Sequence, residues 1–188
     1  MRRRRAALDD EALHTAEALL ASHLADVLRP FCGPGAGIAG YLAIRGEISP
    51  AATLAQCRSR GTPTFVPVVR GDRLRFVSID ADTERVTGRF GIVEPVGGAS
   101  IEPMALQAVL LPLTAFDVHG NRLGMGGGFY DRCFETVAER RRQGLATPQL
   151  IGVGHAFQQV DALDPAPWDV RLDQVVTDAG ALPARNSR

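Results

Sequence analysis

AVLLPLTAFDVHGNRLGMGGGFYDR, Ala108 to Arg132, is the stretch on which the fold turns. Its first six residues form a short apolar run, the mark of a strand buried on both faces, and a helix is expected from about Phe129 to Gln143. Gly124, Gly126, Gly127 and Gly128 lie between them. Strand, glycine loop and helix in this order suit an α/β protein whose backbone N–H groups at a helix start attract an anion. Without Cβ atoms the loop can approach a phosphate closely. The string is neither a P-loop, since Gly-Lys-Ser/Thr is missing, nor a Rossmann fingerprint, since Phe129 stands where the third glycine belongs.

The residues around the glycines sharpen this. Arg122 precedes them and suits phosphate oxygens, Tyr130 offers a hydroxyl, and Asp131 falls in the first turn of the expected helix. A carboxylate beside a phosphate loop repels the ligand unless a cation lies between them, and Mg²⁺ commonly takes one or two carboxylates plus phosphate oxygens. The bland alternative is a tight glycine turn with Asp131 complementing the helix dipole.

Outward from this centre, IAGYLAI (Ile38 to Ile44), LIGVG (Leu150 to Gly154) and QVV (Gln174 to Val176) read as further buried strands. TFVPVV and LRFVSI flank Arg70-Gly71-Asp72-Arg73 as a hairpin. The first helix opens with Asp9 as cap and Leu8 facing Leu13, and turns Leu13, Ala16, Leu20, Leu24, Val27 and Leu28 to one side. Ser49-Pro50 starts a helix reaching about Arg60. Residues 80 to 106, with Gly88, Gly91 and Pro95 among their breakers, read mainly as connection, and the tail after Gly180 as frayed. Strands alternating with helices indicate an α/β fold, a three-layer sandwich with a largely parallel sheet and a hairpin at one side, in one domain spanning residues 1–188.

With 188 residues, 45% hydrophobic and 22% charged, the chain can bury one sizeable core. It has no apolar run long enough to span a bilayer, so no membrane partner is expected. Zero formal net charge speaks against a general nucleic-acid binder, which needs surplus cations. The leading MRRRR lacks the apolar core of a secretory signal, and cytoplasmic residence is the expectation. Cys32, Cys57 and Cys133 have no CxxC spacing and read as ordinary thiols. His119 beside Gly120 is expected at the surface; His155, after a strand, is the histidine placed to line a cleft. Trp168 and Tyr41 read first as packing aromatics, with stacking on a pterin or adenine as the alternative.

LLPLTAFDVHGNRLGMGGGFYDR resembles the signature of the 5-formyltetrahydrofolate cyclo-ligases, or methenyltetrahydrofolate synthetases. The likeness extends to RRRRAALDDE, YLAIRGEIS, FVPVV, IVEP and PWDVRLDQVVTD, which leaves only linkers outside it. It implies a fold similar to that of sugar-phosphate isomerases and CoA transferases, and Mg²⁺-dependent conversion of 5-formyltetrahydrofolate and ATP to 5,10-methenyltetrahydrofolate, ADP and phosphate. It also implies roles. Arg122, Leu123, Gly124, Met125, Gly126, Gly127, Gly128, Phe129 and Tyr130 cradle ATP, and Arg2, Arg3 and Arg4 add cations. Leu42 and Glu47 meet the folate at its formyl end, Met125 to Phe129 lie between the substrates, and Asp131 with Asp169 serves the metal. Glu47, Arg122 and Tyr130 are the catalytic candidates, in a monomer.

The chain departs from the pattern in places. Many family members carry a further basic segment ahead of the first arginine cluster, for which Arg2 to Arg5 are one candidate substitute, the alternatives being a true start further upstream and a solvated basic end or weak RNA contact. Met125 and Gly127 stand where some relatives have Arg and Lys, and Phe129 replaces a frequent Tyr. Taken without the resemblance, Glu47 reads as a surface acid and Asp169 equally as a turn cap. The alternative function is a non-catalytic nucleotide or folate sensor.

Overall fold

Asp9 starts the longest helix: its carboxylate accepts the Ala12 N–H at 2.8 Å, with Asp10 and Glu11 in the positive first turn. The computed structural model describes residues 1–88 and 93–185. A short helix, α1 (Arg2–Ala6), precedes this one, α2 (Asp10–Leu28). Ala16, Leu20, Leu24 and Leu28, spaced four apart, form the buried stripe of α2, each buried leucine contributing roughly 1.5–3 kcal/mol.

The strand expected over 38–44 is shorter, since only β1 (Ile38–Ala39) joins the sheet. Side chains then take over the backbone's hydrogen bonds: Glu47 accepts the Ile44 N–H at 3.1 Å, and Tyr41 donates to the Ile48 carbonyl at 2.6 Å. Residues 40–47 thereby become a shaped loop. The following helix, α3 (Ala51–Ser59), starts one residue later than expected, with Pro50 at its cap and Ser49 Oγ accepting the Ala51 N–H.

The hairpin is where the turn residues put it, with β2 (Thr64–Arg70) and β3 (Arg73–Ser78) joined through the Arg70–Arg73 pair. The segment read as connection contains β4 (Arg85–Thr87) paired with β5 (Val93–Pro95), and β6 (Ser100–Ile101), which extends the sheet beside β3. These strands are too short for their alternation to show in sequence; Gly91 lies outside the described residues.

The deciding stretch folds as β7 (Ala108–Pro112), the small ladder β8 (Ala115–Phe116) with β9 (Arg122–Leu123), the glycine loop, and then two helices where one was expected, α4 (Phe129–Phe134) and α5 (Val137–Arg142). No proline or glycine marks the break at Glu135-Thr136. Strands β10 (Gln149–Val153) and β11 (Gln174–Thr177) follow as expected. The tail does not fray at Gly180: β12 (Gly180–Pro183) pairs antiparallel with β11 and covers its edge.

Among the described residues, eight strands make one sheet in the order β12-β11-β10-β7-β1-β2-β3-β6. The five from β11 to β2 are parallel, and an antiparallel hairpin closes each edge rather than one side. Neighbouring residues of one strand face opposite layers. Ala108 and Leu110 join the α2–α3 core, while Val109 and Leu111 join the core that holds Phe134 and Val137 of α4 and α5. That is the expected three-layer arrangement. No described helix is long and apolar enough to cross a membrane.

Candidate active site

The chain leaves β1 toward β2 on one side and later returns as β7 on the other, so the strand order reverses between β1 and β7. In open parallel sheets the crevice beyond the strands' carboxyl ends at such a point is where ligands bind. Here the two walls are the 40–47 loop after β1 and the 113–131 segment after β7, which runs through the glycine loop into the first turn of α4. Between them lies a cleft of about 510 Å³, with Tyr41, Leu42 and Glu47 on the first wall and Arg122, Phe129 and Tyr130 on the second.

The second wall is tied down from below. Asp117, 2% exposed, accepts the backbone N–H groups of His119, Asn121 and Leu163 and the Asn121 side-chain amide. Burial pushes its carboxyl up, but these four donors outweigh burial and hold it below the usual aspartate range. Thr114 adds a hydrogen bond to the Gly124 carbonyl at 3.2 Å. Gly126 and Gly128 have φ of +90° and +61°, a left-handed conformation that side-chain-bearing residues rarely adopt. At the far end of the loop Arg132 donates to the carbonyls of Gly127 at 2.8 Å and Asp72 at 2.9 Å, clamping the loop to the β2–β3 turn.

Arg122 and Asp131 form an ion pair at 2.8 Å, with side chains 6% and 19% exposed. Val170 knits them together: its N–H donates to the same Asp131 oxygen at 3.1 Å, and its carbonyl accepts from Arg122 at 3.3 Å. Asp169, one residue earlier, is thus brought to the Asp131 corner, where its Oδ2 caps a turn through the Ala166 N–H at 2.9 Å.

Glu47, 6% exposed, is no surface acid. Burial pushes its carboxyl above the usual range, against the pull of the Ile44 N–H and of the Arg5 and Arg45 cations. Burial likewise raises the hydroxyls of Tyr41 and Tyr130.

Several expected residues are placed otherwise. Leu123, Gly126 and Asp169 are not on the cleft wall, and neither are Arg2, Arg3 and Arg4. Arg2 and Arg3 are exposed, and Arg4 lies 4.3 Å from the Phe157 ring centre. The arginine that turns inward is Arg5, 3% exposed and 3.8 Å from Glu47. Nothing local in the run of four arginines singles it out, for Ala6 and Ala7 after it are exposed as well. His119 is half-buried rather than exposed, because Asp117 pulls its turn inward, and its buried Nδ1 has no hydrogen-bond partner among the described residues. Trp168 is 73% exposed and so is not a packing aromatic.

Residues 1–178 match the model of the 5-formyltetrahydrofolate cyclo-ligase family. The chain belongs to this family. Among curated members it is similar to the 5-formyltetrahydrofolate cyclo-ligase of Haemophilus influenzae, 33% identical over 183 residues, covering 94% of this chain and 92% of that protein. It is similar also to the Escherichia coli K12 cyclo-ligase, 32% identical over 145 residues, 74% of this chain and 76% of that one. The solved 5,10-methenyltetrahydrofolate synthetase of Aquifex aeolicus superposes with a TM-score of 0.80 at 25% identity, over 100% of this chain and 90% of that one. The mostly parallel sheet with its hairpins is therefore the fold of this family.

Proposed function

We propose that this cleft closes 5-formyltetrahydrofolate to 5,10-methenyltetrahydrofolate at the expense of ATP and with Mg²⁺, releasing ADP and phosphate. The observation that supports it best is the meeting of two walls at the switch point. A glycine loop with its Arg122–Asp131 pair faces a buried Glu47 across one cleft.

The formyl group on N5 is an amide, so its carbon is a weak electrophile and its oxygen a poor leaving group. Transfer of the γ-phosphoryl group to that oxygen forms an O–P bond as the bond to ADP breaks; N10 then attacks the activated carbon and phosphate departs. In phosphoryl transfer the protein's tasks are alignment and charge stabilisation. Arg122 and the backbone amides of Gly124, Gly127 and Gly128 hold phosphate oxygens, with Tyr130 beside them. Leu42, Met125 and Phe129 confine the pterin end, and Glu47, whose raised pKa suits a proton acceptor, takes the N10 proton.

The donor set fits Mg²⁺. No cluster of three or more His, Cys, Asp or Glu exists among the described residues, but this ion usually takes only one or two carboxylates beside phosphate and water. Asp131, hydrogen-bonded through Oδ1, and Asp169, hydrogen-bonded through Oδ2, have no hydrogen bond to their other oxygen among the described residues, which leaves one oxygen each for it. When bound, Mg²⁺ neutralises charge on the triphosphate. Residues 1–188 act as one catalytic domain, in a cytoplasmic monomer.

The test is growth of methenyltetrahydrofolate absorbance when purified protein meets 5-formyltetrahydrofolate, ATP and Mg²⁺. Folded protein that binds both substrates without turnover overturns the proposal in favour of a sensor. Asp131→Ala is expected to lower turnover on the order of 100-fold or more with the fold retained. Unchanged turnover removes Asp131 from the site's chemistry.

A further inference from the structure

Arg5 is an arginine buried where burial is unfavourable. Its Nη1 donates to the Leu113 carbonyl at 3.0 Å and lies 3.8 Å from Glu47 Oε1, while its Nε is buried with no hydrogen-bond partner among the described residues. An ion pair this deep is an inefficient source of stability, since desolvation offsets the attraction and an unpartnered donor adds to the cost. Its geometry is more informative. Leu113 begins one cleft wall, directly after β7, and Glu47 ends the loop of the other, so one guanidinium spans the base of both walls without lining the cleft.

The helix that carries Arg5 is docked against the same loop. At Gly46, with φ of +72°, a Cβ would lie 2.7 Å from the Arg5 carbonyl oxygen, so the 40–47 loop rests directly on α1. On the other side the Arg4 guanidinium covers Phe157, which stacks on His155 at 5.0 Å, and His155 Nε2 lies 3.3 Å from the Gly46 carbonyl. Loop, helix and the end of β10 therefore hold one another around Arg5.

We infer that Arg5 is a positioning residue for the ring-closing reaction: it acts through Glu47, fixing the carboxylate's place and charge at the folate end of the cleft, and touches neither substrate. This role rests on the ring-closure function proposed above. The other charged or titratable groups that act on Glu47 or sense it are Arg45, Tyr41 and Tyr130, with His155 behind Gly46. Arg45 is another cation pulling its pKa down, so loss of Arg5 removes one of two such influences.

The experiment compares Arg5→Met, Arg5→Lys, Glu47→Gln and the double variant Arg5→Met/Glu47→Gln with wild type. Arg5→Met is expected to lower kcat/KM for 5-formyltetrahydrofolate on the order of 10- to 100-fold, within the range of a misplaced acid–base group, and to leave the KM for ATP within about twofold. The acid limb of its pH profile moves to higher pH, because the carboxyl has lost a cation that favoured its charged form. Arg5→Lys restores the limb through its charge and the rate only in part, having no fork to reach Leu113. In the double variant the loss is no larger than in Glu47→Gln alone.

A merely structural Arg5 would lower the melting temperature and leave rate and acid limb as in wild type, and that outcome overturns the inference. So does a loss that multiplies on top of Glu47→Gln. If Arg5→Met does not fold, Arg5→Lys decides: it keeps the charge and loses the reach to Leu113, so a reduced rate with the acid limb in place supports the inference and a wild-type rate overturns it. Wild-type turnover in the same assay separates the two proposals. Its absence removes the function, whereas turnover with unaltered Arg5 variants removes this role alone.

Discussion

Asp117 shows how a side chain outside the cleft governs one inside it. Its carboxylate gathers four donors beneath the β8–β9 ladder and so sets the direction in which Arg122 and the glycines leave the sheet. Because its folded pKa lies below the ordinary aspartate value, its contribution is fully present above that value and is lost as pH falls through the folded one. Asp117→Ala is expected to cost roughly 2–4 kcal/mol at neutral pH, through loss of charge-assisted hydrogen bonds. Melting curves of the two proteins should converge below about pH 4, where the aspartate begins to be protonated in the unfolded chain. A gap that stays constant down to pH 3 would contradict this. No spacing in the sequence marks Asp117 for this role, since its donors include Leu163, 46 positions away.

At the scale of elements, the 40–47 loop is the piece most dependent on its surroundings. IAGYLAI reads as a strand because all its residues are apolar or small, yet only Ile38 and Ala39 pair, and the rest is bent by Glu47, Tyr41 and the helix beneath. Gly46 is the hinge of this arrangement. Gly46→Ala meets both a left-handed φ and a backbone oxygen at 2.7 Å, and is expected to lower stability by about 1–3 kcal/mol or more and to reduce turnover with it. Thermal melts and the absorbance assay on the same preparation would check this; an alanine variant with wild-type values in both would show that the loop is not held against α1. The hairpin at Gly71-Asp72 and the buried run of β7 were legible, because turn chemistry and burial on both faces are local properties. Strands of two or three residues, such as β6 and β8, were not.

At the scale of the molecule, binding should couple to stability through the cleft that both walls share. Mg²⁺ and ATP together are expected to raise the melting temperature more than ATP with a chelator, in line with a gain of about 2.7 kcal/mol at a ligand concentration 100 times its dissociation constant. Equal shifts with and without Mg²⁺ would count against a metal at Asp131 and Asp169. Trp168, the single tryptophan, is exposed beside Asp169, so its emission offers a second readout of that corner.

The sequence by itself determined the α/β class, the strand–glycine loop–helix unit and, through the long string around Arg122 and Asp131, the family. Each of these depends on residues close along the chain, where spacing and chemistry act without help. Only the tertiary structure decided that β1 stops after two residues, that hairpins close both sheet edges, and that the tail pairs as β12. It also turned Arg5 inward onto Glu47 while Arg2 and Arg3 remain in solvent. These outcomes are set by long-range competition for backbone partners and by the desolvation of charges, neither of which has a local signature in a run of four arginines.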